Sequence, residues 1–181
     1  MPKPEVWISV DIEADGPIPG DYSMLSLGAC VVGDTAQQFY IEFTPITQAY
    51  IPAALAVSGL DRDALYRDGV APALAMQRFA AWVHTLTGDT HTPVFVAFNA
   101  PFDWMFVQWY FVHYAVANPF GASALDIKAY AMGKLGLAQW ADSSRRRLNA
   151  QFTQGQALTH NALDDAIAQA HTLQAIRDAA S

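Results

Sequence analysis

Four acidic residues in three separated stretches, together with one histidine, form the pattern with the clearest chemical meaning in this chain. They are Asp11 and Glu13, then Asp103, and finally Asp165, with His160 five positions before it. Carboxylates that a fold gathers into one pocket repel one another unless cations lie between them. These residue types are therefore those of a two-metal site that cleaves phosphodiesters, in which the histidine accepts a proton.

Asp11 and Glu13 lie at the end of a predicted strand, Val6–Asp11, which is rich in β-branched and aromatic residues. Because side chains two positions apart on a strand point to the same face, both acids share one face with Ser9. The other face is apolar and carries Ile8, Val10 and Ile12. The alternative is a strand end that frays into a solvated loop, although ligands commonly bind at strand ends in open α/β sheets.

Asp103 is expected in the first turn of a helix that follows a short buried strand, Val94–Phe98. An acid there also complements the helix dipole, and Asn99 has the chemistry of a plain N-cap, so a structural role is the alternative for both. The strand–turn–helix order places Asp103 at a sheet edge. It is level with Asp11 if their two strands are neighbours.

Asp165 lies in the first turns of the last predicted helix, which begins near Asn161. Neighbouring helix positions point about 100° apart, so only one of Asp164 and Asp165 can face the other acids. Asp164 is better explained as a dipole partner or as the cap partner of Asn161. His160 directly precedes this helix, and its spacing to an acid distinguishes it from a lone surface histidine.

Turn signals and apolar periodicity predict the elements that must position these residues. Three strands, Val6–Asp11, Met24–Val32 and Gln38–Phe43, are predicted to form an antiparallel meander. The later predictions are short helices at Ala53–Val57 and Asp61–Tyr66, a helix opened by Pro72, the strand Val94–Phe98, a helix from Pro101 to about Val116, a strand at Ala124–Leu125, a helix at Ile127–Leu135, and a last helix from about Asn161 to Ala179. Residues 136–157 have no clear prediction. This order predicts a mixed sheet with helices on both faces.

The composition predicts a single domain with a sizeable core, since the chain has 181 residues and 52% of them are apolar. A net charge of −7 argues against a general nucleic-acid coat. It does not exclude a nucleic-acid enzyme, because bound divalent ions restore local positive potential. Cys30, the only cysteine, is expected in a buried strand. No signal-peptide pattern or membrane-length apolar run is present, so we expect a soluble cytoplasmic protein.

Three segments, taken in order, resemble the three motifs of the DEDDh 3′→5′ exonuclease family, which includes proofreading exonucleases, ribonuclease T and oligoribonuclease. They are Asp11-x-Glu13, Asn99-Ala-Pro-Phe-Asp103 and His160-x-Ala162-x-x-Asp165. The resemblance extends over roughly Val6 to Ile176, with further likeness at Met24–Ala29 and Ala54–Leu60. Asn161 stands where a sister class carries tyrosine, which favours the histidine class.

The resemblance implies an α/β, ribonuclease H-like fold: a five-stranded mixed sheet, second strand antiparallel, flanked by helices on both faces, in a single exonuclease domain over residues 1–181. It implies that Asp11, Glu13, Asp103 and Asp165 bind two Mg²⁺ or Mn²⁺ ions and that His160 is the general base. The implied reaction releases nucleoside 5′-monophosphates from the 3′ ends of single-stranded nucleic acid. The resemblance also implies a homodimer. A monomer measured by light scattering would refute this expectation.

The same resemblance suggests which residues bind the 3′-terminal nucleotide, namely Asn99, the backbone near Ala14, and Met24 or Leu25. Phe98 is a departure, because many relatives carry a small or polar residue before the asparagine. It leaves the predicted ligands intact, and we expect it to alter the substrate groove.

Several alternatives stay open at the level of sequence. The basic run Arg145–Arg147 either binds phosphates or lies in a solvated loop. Aromatic residues such as Trp109 and Tyr110 either stack on bases or belong to the core or to a dimer surface. The sequence does not separate DNA from RNA, because that choice depends on contacts to the 2′-hydroxyl. The rival functions are another phosphodiesterase of the same fold and a non-catalytic binding module.

Overall fold

The computed structural model describes residues 2–154 and 159–179. Within them, five strands form one mixed sheet in the order β3-β2-β1-β4-β5. The strands are β1 (Glu5–Ala14), β2 (Met24–Val31), β3 (Asp34–Glu42), β4 (Thr92–Ala97) and β5 (Leu125–Asp126). β2 runs antiparallel to β1 and β3, whereas β4 runs parallel to β1 and β5. The predicted meander and mixed sheet are therefore confirmed.

Helices connect and cover these strands. They are α1 (Pro52–Ser58), α2 (Arg62–Asp68), α3 (Pro72–Thr87), α4 (Ala100–His113), α5 (Ile127–Leu135), α6 (Arg145–Phe152) and α7 (Ala162–Asp178), with a short 3₁₀ helix at Trp140–Ser143. The stretch without a clear prediction thus contains the 3₁₀ helix and α6 in its described part. Among the described residues, no helix combines the length and hydropathy that a membrane span requires.

Several element boundaries differ from the prediction, and two of these differences have identifiable reasons. β1 continues past Asp11 to Ala14, because β2 keeps pairing with it through Glu13↔Ser26 and, after a bulge, Ala14↔Met24. Asp11 and Glu13 therefore both lie within a paired strand and not in a solvated loop after it. α4 ends at His113 and not at Val116, because Ala115 adopts a left-handed backbone conformation with φ 53°.

Apolar residues cover both faces of the sheet and form two clusters. The first joins the apolar face of β1 to α3 and α4 and includes Ile8, Val10, Ile12, Phe79 and Phe106. The second joins the other face to α5, α6 and α7 and includes Cys30, Val96, Phe98, Leu148 and Leu173. Helices on both faces are thus confirmed, and Tyr110 and Phe111, which are fully buried, belong to the core.

The start of α7 lies directly on the sheet because Gly28 has no side chain. Gly28 pairs with Asp11 across the β1–β2 ladder. A Cβ at this position would overlap the backbone of Ala162 and Leu163, the first residues of α7. Nearby, the Ser9 hydroxyl donates to the Ala166 carbonyl at 2.7 Å. The helix that carries Asp165 is therefore held against the strand that carries Asp11.

Gly28→Ala is expected to lower the free energy of unfolding by about 1–3 kcal/mol, because the added methyl group forces α7 away from the sheet. Urea denaturation measures the change. Gly133→Ala is the matched control, since Gly133 lies in α5 and an added Cβ would meet nothing within 4 Å. That variant is expected to gain about 0.5–1 kcal/mol from helix propensity. Similar stability changes in the two variants would contradict the close contact at Gly28.

Candidate active site

The five residues singled out for chemistry line one pocket of about 210 Å³. Asp11 and Glu13 come from β1, and Asp103 comes from the first turn of α4. Asp165 comes from the first turn of α7, and His160 from the turn that precedes it. They meet because α4 directly follows β4, the parallel neighbour of β1, while α7 packs across β1 and β2.

Asp11 and Glu13 are both buried on the face of β1 that α7 covers. The pKa of Asp11 is raised to about 7, mainly by burial, because the lowering effect of Arg145 is smaller and the charge of Asp165 also raises the pKa. Burial also raises the pKa of Glu13 to about 8, with added repulsion from Asp11 and Asp165. The pocket therefore disfavours the negative charge that its own side chains carry.

Asp103 ties the start of α4 to β1. Its Oδ1 accepts a hydrogen bond from the backbone N–H of Ile12 at 3.1 Å. Burial, and then the charge of Asp11, raise the pKa of Asp103 well above its usual value, against the opposing effect of the Ile12 N–H. This carboxyl group is thus both a link between elements and part of the acidic wall.

Asn99 does not cap α4 in the way its residue type suggests. Its backbone is left-handed, with φ 61°, and its side chain accepts no capping hydrogen bond among the described residues. The Asp126 carboxylate accepts instead from the Ala100 N–H at 2.8 Å. The plain N-cap interpretation of Asn99 is therefore wrong. Its exposed side chain lines the acidic pocket.

Asp165 organises the turn before α7. Its Oδ1 accepts from the Thr159 N–H at 3.0 Å, and its Oδ2 accepts from the His160 N–H at 3.2 Å. The Asn161 side chain caps the helix by accepting from the N–H of Asp164 at 3.2 Å, and Asp164 itself is exposed. Of the two adjacent acids, the structure places only Asp165 in the pocket.

The arrangement has the spacing of a cation site. Potential ligand atoms of Glu13, His160 and Asp165 all lie within 4.8 Å of one another. The carboxylates of Asp11 and Asp103 line the same pocket. Carboxylate oxygens are the ligands that Mg²⁺ and Mn²⁺ prefer, so the residues present fit these ions.

Sequence reasoning did not single out Gln169, and it left Arg145 open between phosphate binding and a solvated loop. Gln169 lies four positions after Asp165, which puts both side chains on one face of α7. This spacing is the feature of the sequence that could have indicated Gln169. Its amide donates to the Val10 carbonyl at 2.7 Å and accepts from the Phe98 N–H at 2.9 Å. It thereby bridges the middle of β1 and the residue that follows β4. Arg145, at the start of α6, lines the pocket beside Asp11.

An apolar cavity of about 360 Å³ adjoins the acidic pocket and shares Ile12, Glu13 and Phe102 with it. Ala14, which the resemblance singled out, lies in the wall of this cavity. Met24 and Leu25 are fully buried and line neither cavity. The structure therefore brings Ala14 to the site and does not bring these two side chains there, so their contact with a nucleotide stays a prediction.

Without divalent cations, the folded protein is expected to lose stability as the pH rises from about 4 to about 8. Asp11 and Glu13 have higher pKa values in the folded protein than in the unfolded chain, so protonation favours folding. This stabilisation is complete below an unfolded pKa of about 4 and is lost as the pH passes about 7 and about 8. Thermal unfolding in chelator at several pH values measures the effect.

Glu13→Gln isolates this effect from the titration of the remaining chain. The variant should show a smaller fall in Tm over the same pH interval, whereas Glu5→Gln, exposed on the same strand, should follow the wild type. Added Mg²⁺ or Mn²⁺ should raise Tm most at high pH, where the carboxylates are ionised. A Glu13→Gln slope equal to that of the wild type would count against the raised pKa of Glu13.

Comparison with known proteins identifies the class. No protein-family model matches the sequence. Over 172 residues, the chain is 42% identical to the 3′-5′ DNA exonuclease Cap18 of Escherichia coli, covering 95% of this chain and 91% of that protein. The solved nuclease domain of 3′hExo, a DEDDh family member bound to rAMP, has a TM-score of 0.78 at 12% identity, covering 95% of this chain and 90% of that one.

Exonuclease I of E. coli, solved with a dA16 oligonucleotide, has a TM-score of 0.65 at 19% identity, with 96% of this chain and 41% of that chain covered. These structures confirm the ribonuclease H-like fold. The protein is a nuclease. More specifically, the chain belongs to the DEDDh family of 3′→5′ exonucleases.

Proposed function

We propose that this exonuclease removes nucleotides from the 3′ end of single-stranded DNA and releases nucleoside 5′-monophosphates. The observation that carries the proposal is the convergence of four carboxylates and His160 in one pocket beside an apolar cavity. The E. coli relative is named for action on DNA, and exonuclease I was solved with a single-stranded oligonucleotide. Both favour DNA as the substrate.

Two divalent cations, Mg²⁺ or Mn²⁺, are proposed as cofactors held by Asp11, Glu13, Asp103 and Asp165. The fit rests on the donor set and on charge, since four carboxylates face a single arginine in the pocket lining. When bound, the cations would supply Lewis-acid stabilisation of the negative charge that develops on the phosphoryl group and the departing 3′-oxygen.

His160 is the proposed general base. Imidazole is the side chain best suited to accept a proton near neutral pH. As the water oxygen bonds to phosphorus and the bond to the 3′-oxygen breaks, the proton of that water passes to a ring nitrogen of His160. The residue is exposed, so it can release the proton to solvent. The backbone N–H of His160 donates a hydrogen bond to Asp165, which fixes the position of the backbone from which the imidazole side chain extends.

The apolar cavity is the proposed site for the 3′-terminal base. Its walls include Ile12, Ala14, Ile51, Ala54 and Phe102, which offer apolar surface to a flat ring. Glu13 and Phe102 line both cavities, so a base in the apolar cavity has its sugar and phosphate next to the acids.

Digestion of 5′-labelled single-stranded DNA and RNA of one sequence, with Mg²⁺, Mn²⁺ or chelator, tests the proposal. We expect DNA to give a ladder that shortens from the 3′ end, no cleavage in chelator, and an intact circular single strand. Asp11→Ala should be inactive, with a loss of at least about 10³-fold expected because a proposed ligand of the cations is removed. Faster cleavage of RNA than of DNA would show that RNA is the preferred substrate.

The other outcomes separate the rival functions. Cutting of the circular strand would indicate an endonuclease. Unchanged activity in Asp11→Ala would show that the carboxylate pocket is not the centre of hydrolysis, and a wild type that binds DNA without shortening it would support a binding module.

His160→Ala is expected to reduce turnover by about 10²–10⁴-fold, the usual contribution of a general base. Its Tm and its Mn²⁺ affinity, measured by calorimetry, should stay close to those of the wild type. His171→Ala, at an exposed position of α7, is the matched control and should retain activity. A large loss of Mn²⁺ affinity in His160→Ala would show instead that His160 is a direct ligand, an arrangement that its distance to Glu13 and Asp165 also permits.

A further inference from the structure

The three arginines at the start of α6 have different surroundings. Arg145 lines the acidic pocket. Arg146 is exposed, and Arg147 pairs with Asp142 at the surface. The basic run that the sequence presented as one feature is therefore divided, with one guanidinium inside the site and two outside it.

Arg145 is held in a cradle formed by Asp11, Gln169 and Phe98. Its Nη2 lies 3.3 Å from the Asp11 carboxylate and 3.4 Å from the Gln169 amide oxygen, and its Cζ lies 5.1 Å from the centre of the Phe98 ring. Gln169 is itself fixed by backbone groups of Val10 and Phe98 and is only 2% exposed. Phe98, the residue that departs from the family pattern, thus forms one wall of the cradle.

The cradle leaves much of the guanidinium available. Both contacts are longer than the roughly 2.7–2.9 Å of a strong charge-assisted hydrogen bond. Among the described residues, its hydrogen bonds use Nη2, and guanidinium has five N–H donors in all. The side chain keeps 21% of its surface exposed. Arg145 is therefore positioned without being locked in place.

Charge determines what the free donors can bind. Once cations occupy the carboxylate pocket, Asp11 is shared with them, and Arg145 becomes one more positive charge in a small volume. It is then stabilised by an anion that enters the same pocket. The planar fork of guanidinium matches the oxygens of a phosphate, which it binds through two parallel hydrogen bonds.

We propose that Arg145 is a substrate-binding residue that grips the phosphate of the strand being cleaved, from a cradle built by Phe98 and Gln169. This inference rests on the proposed function, because it adds a residue to the same pocket. It predicts two effects of opposite sign when the charge is removed. Binding of the DNA should weaken, and binding of the divalent cation alone should tighten.

Arg145→Gln tests both effects, with Arg146→Gln as the matched control on the same helix turn. We expect Arg145→Gln to lower kcat/KM on single-stranded DNA by about 10- to 100-fold, mainly through KM, as for loss of a charged hydrogen bond. Without DNA, its Mn²⁺ affinity should rise several-fold, because a positive charge beside Asp11 is gone. Arg146→Gln should match the wild type in both measurements. Arg145→Lys, which keeps the charge and loses the fork, should fall between the two.

Two results would overturn the inference. One is a kcat/KM for Arg145→Gln equal to that of Arg146→Gln. The other is weaker Mn²⁺ binding in Arg145→Gln, which would mean that Arg145 merely holds Asp11 in place. If Arg145→Gln does not fold, Arg145→Lys decides by the same two measurements. If the wild type is active and the Arg145 variant has the same kcat/KM, only this inference is rejected. If the wild type does not shorten DNA from the 3′ end, the proposed function is rejected.

Discussion

Repulsion among four buried carboxylates that line one pocket is the constraint on which the rest of this site depends. Three of the carboxylates have a hydrogen-bond donor or a positive charge beside them. Asp103 receives the N–H of Ile12, Asp165 receives two N–H groups from the turn before α7, and Asp11 lies beside Arg145. These donors offset only part of the cost, since the pKa values of Asp11 and Glu13 remain raised. The remaining imbalance is what divalent cations would relieve.

The elements that could be predicted from sequence are those set by local pattern. Alternation along β1 separates its acidic face from its apolar face, and the core clusters show Ile8, Val10 and Ile12 on the apolar side. The starts of α5 and α7 follow from N-cap residues, Asp126 and Asn161, whose side chains accept the hydrogen bonds expected of caps. Such features need only a few neighbouring residues, so they are visible in the sequence.

The features that escaped prediction depend on contacts between distant segments. The length of β1 is set by its pairing with β2, and the role of Gly28 appears only when α7 is placed across it. Asn99 looks like a cap, yet the junction of β4 and α4 gives it a left-handed backbone and transfers the capping of Ala100 to Asp126. Arg145 comes from a stretch whose pattern predicted no element, so nothing local connected it to Asp11.

The bonds at Asp165 have a thermodynamic consequence. One carboxylate both faces the pocket and accepts the backbone N–H groups of Thr159 and His160, so occupancy of the pocket and order in this turn are linked equilibria. Linkage is reciprocal: a cation that prefers the carboxylate in its present orientation stabilises the turn, and ordering of the turn increases the affinity for the cation by the same factor. A nucleotide that orders the turn therefore also favours binding of the cation. Cooperativity between metal and substrate can therefore arise here within a single side chain, without any change in the sheet beneath it.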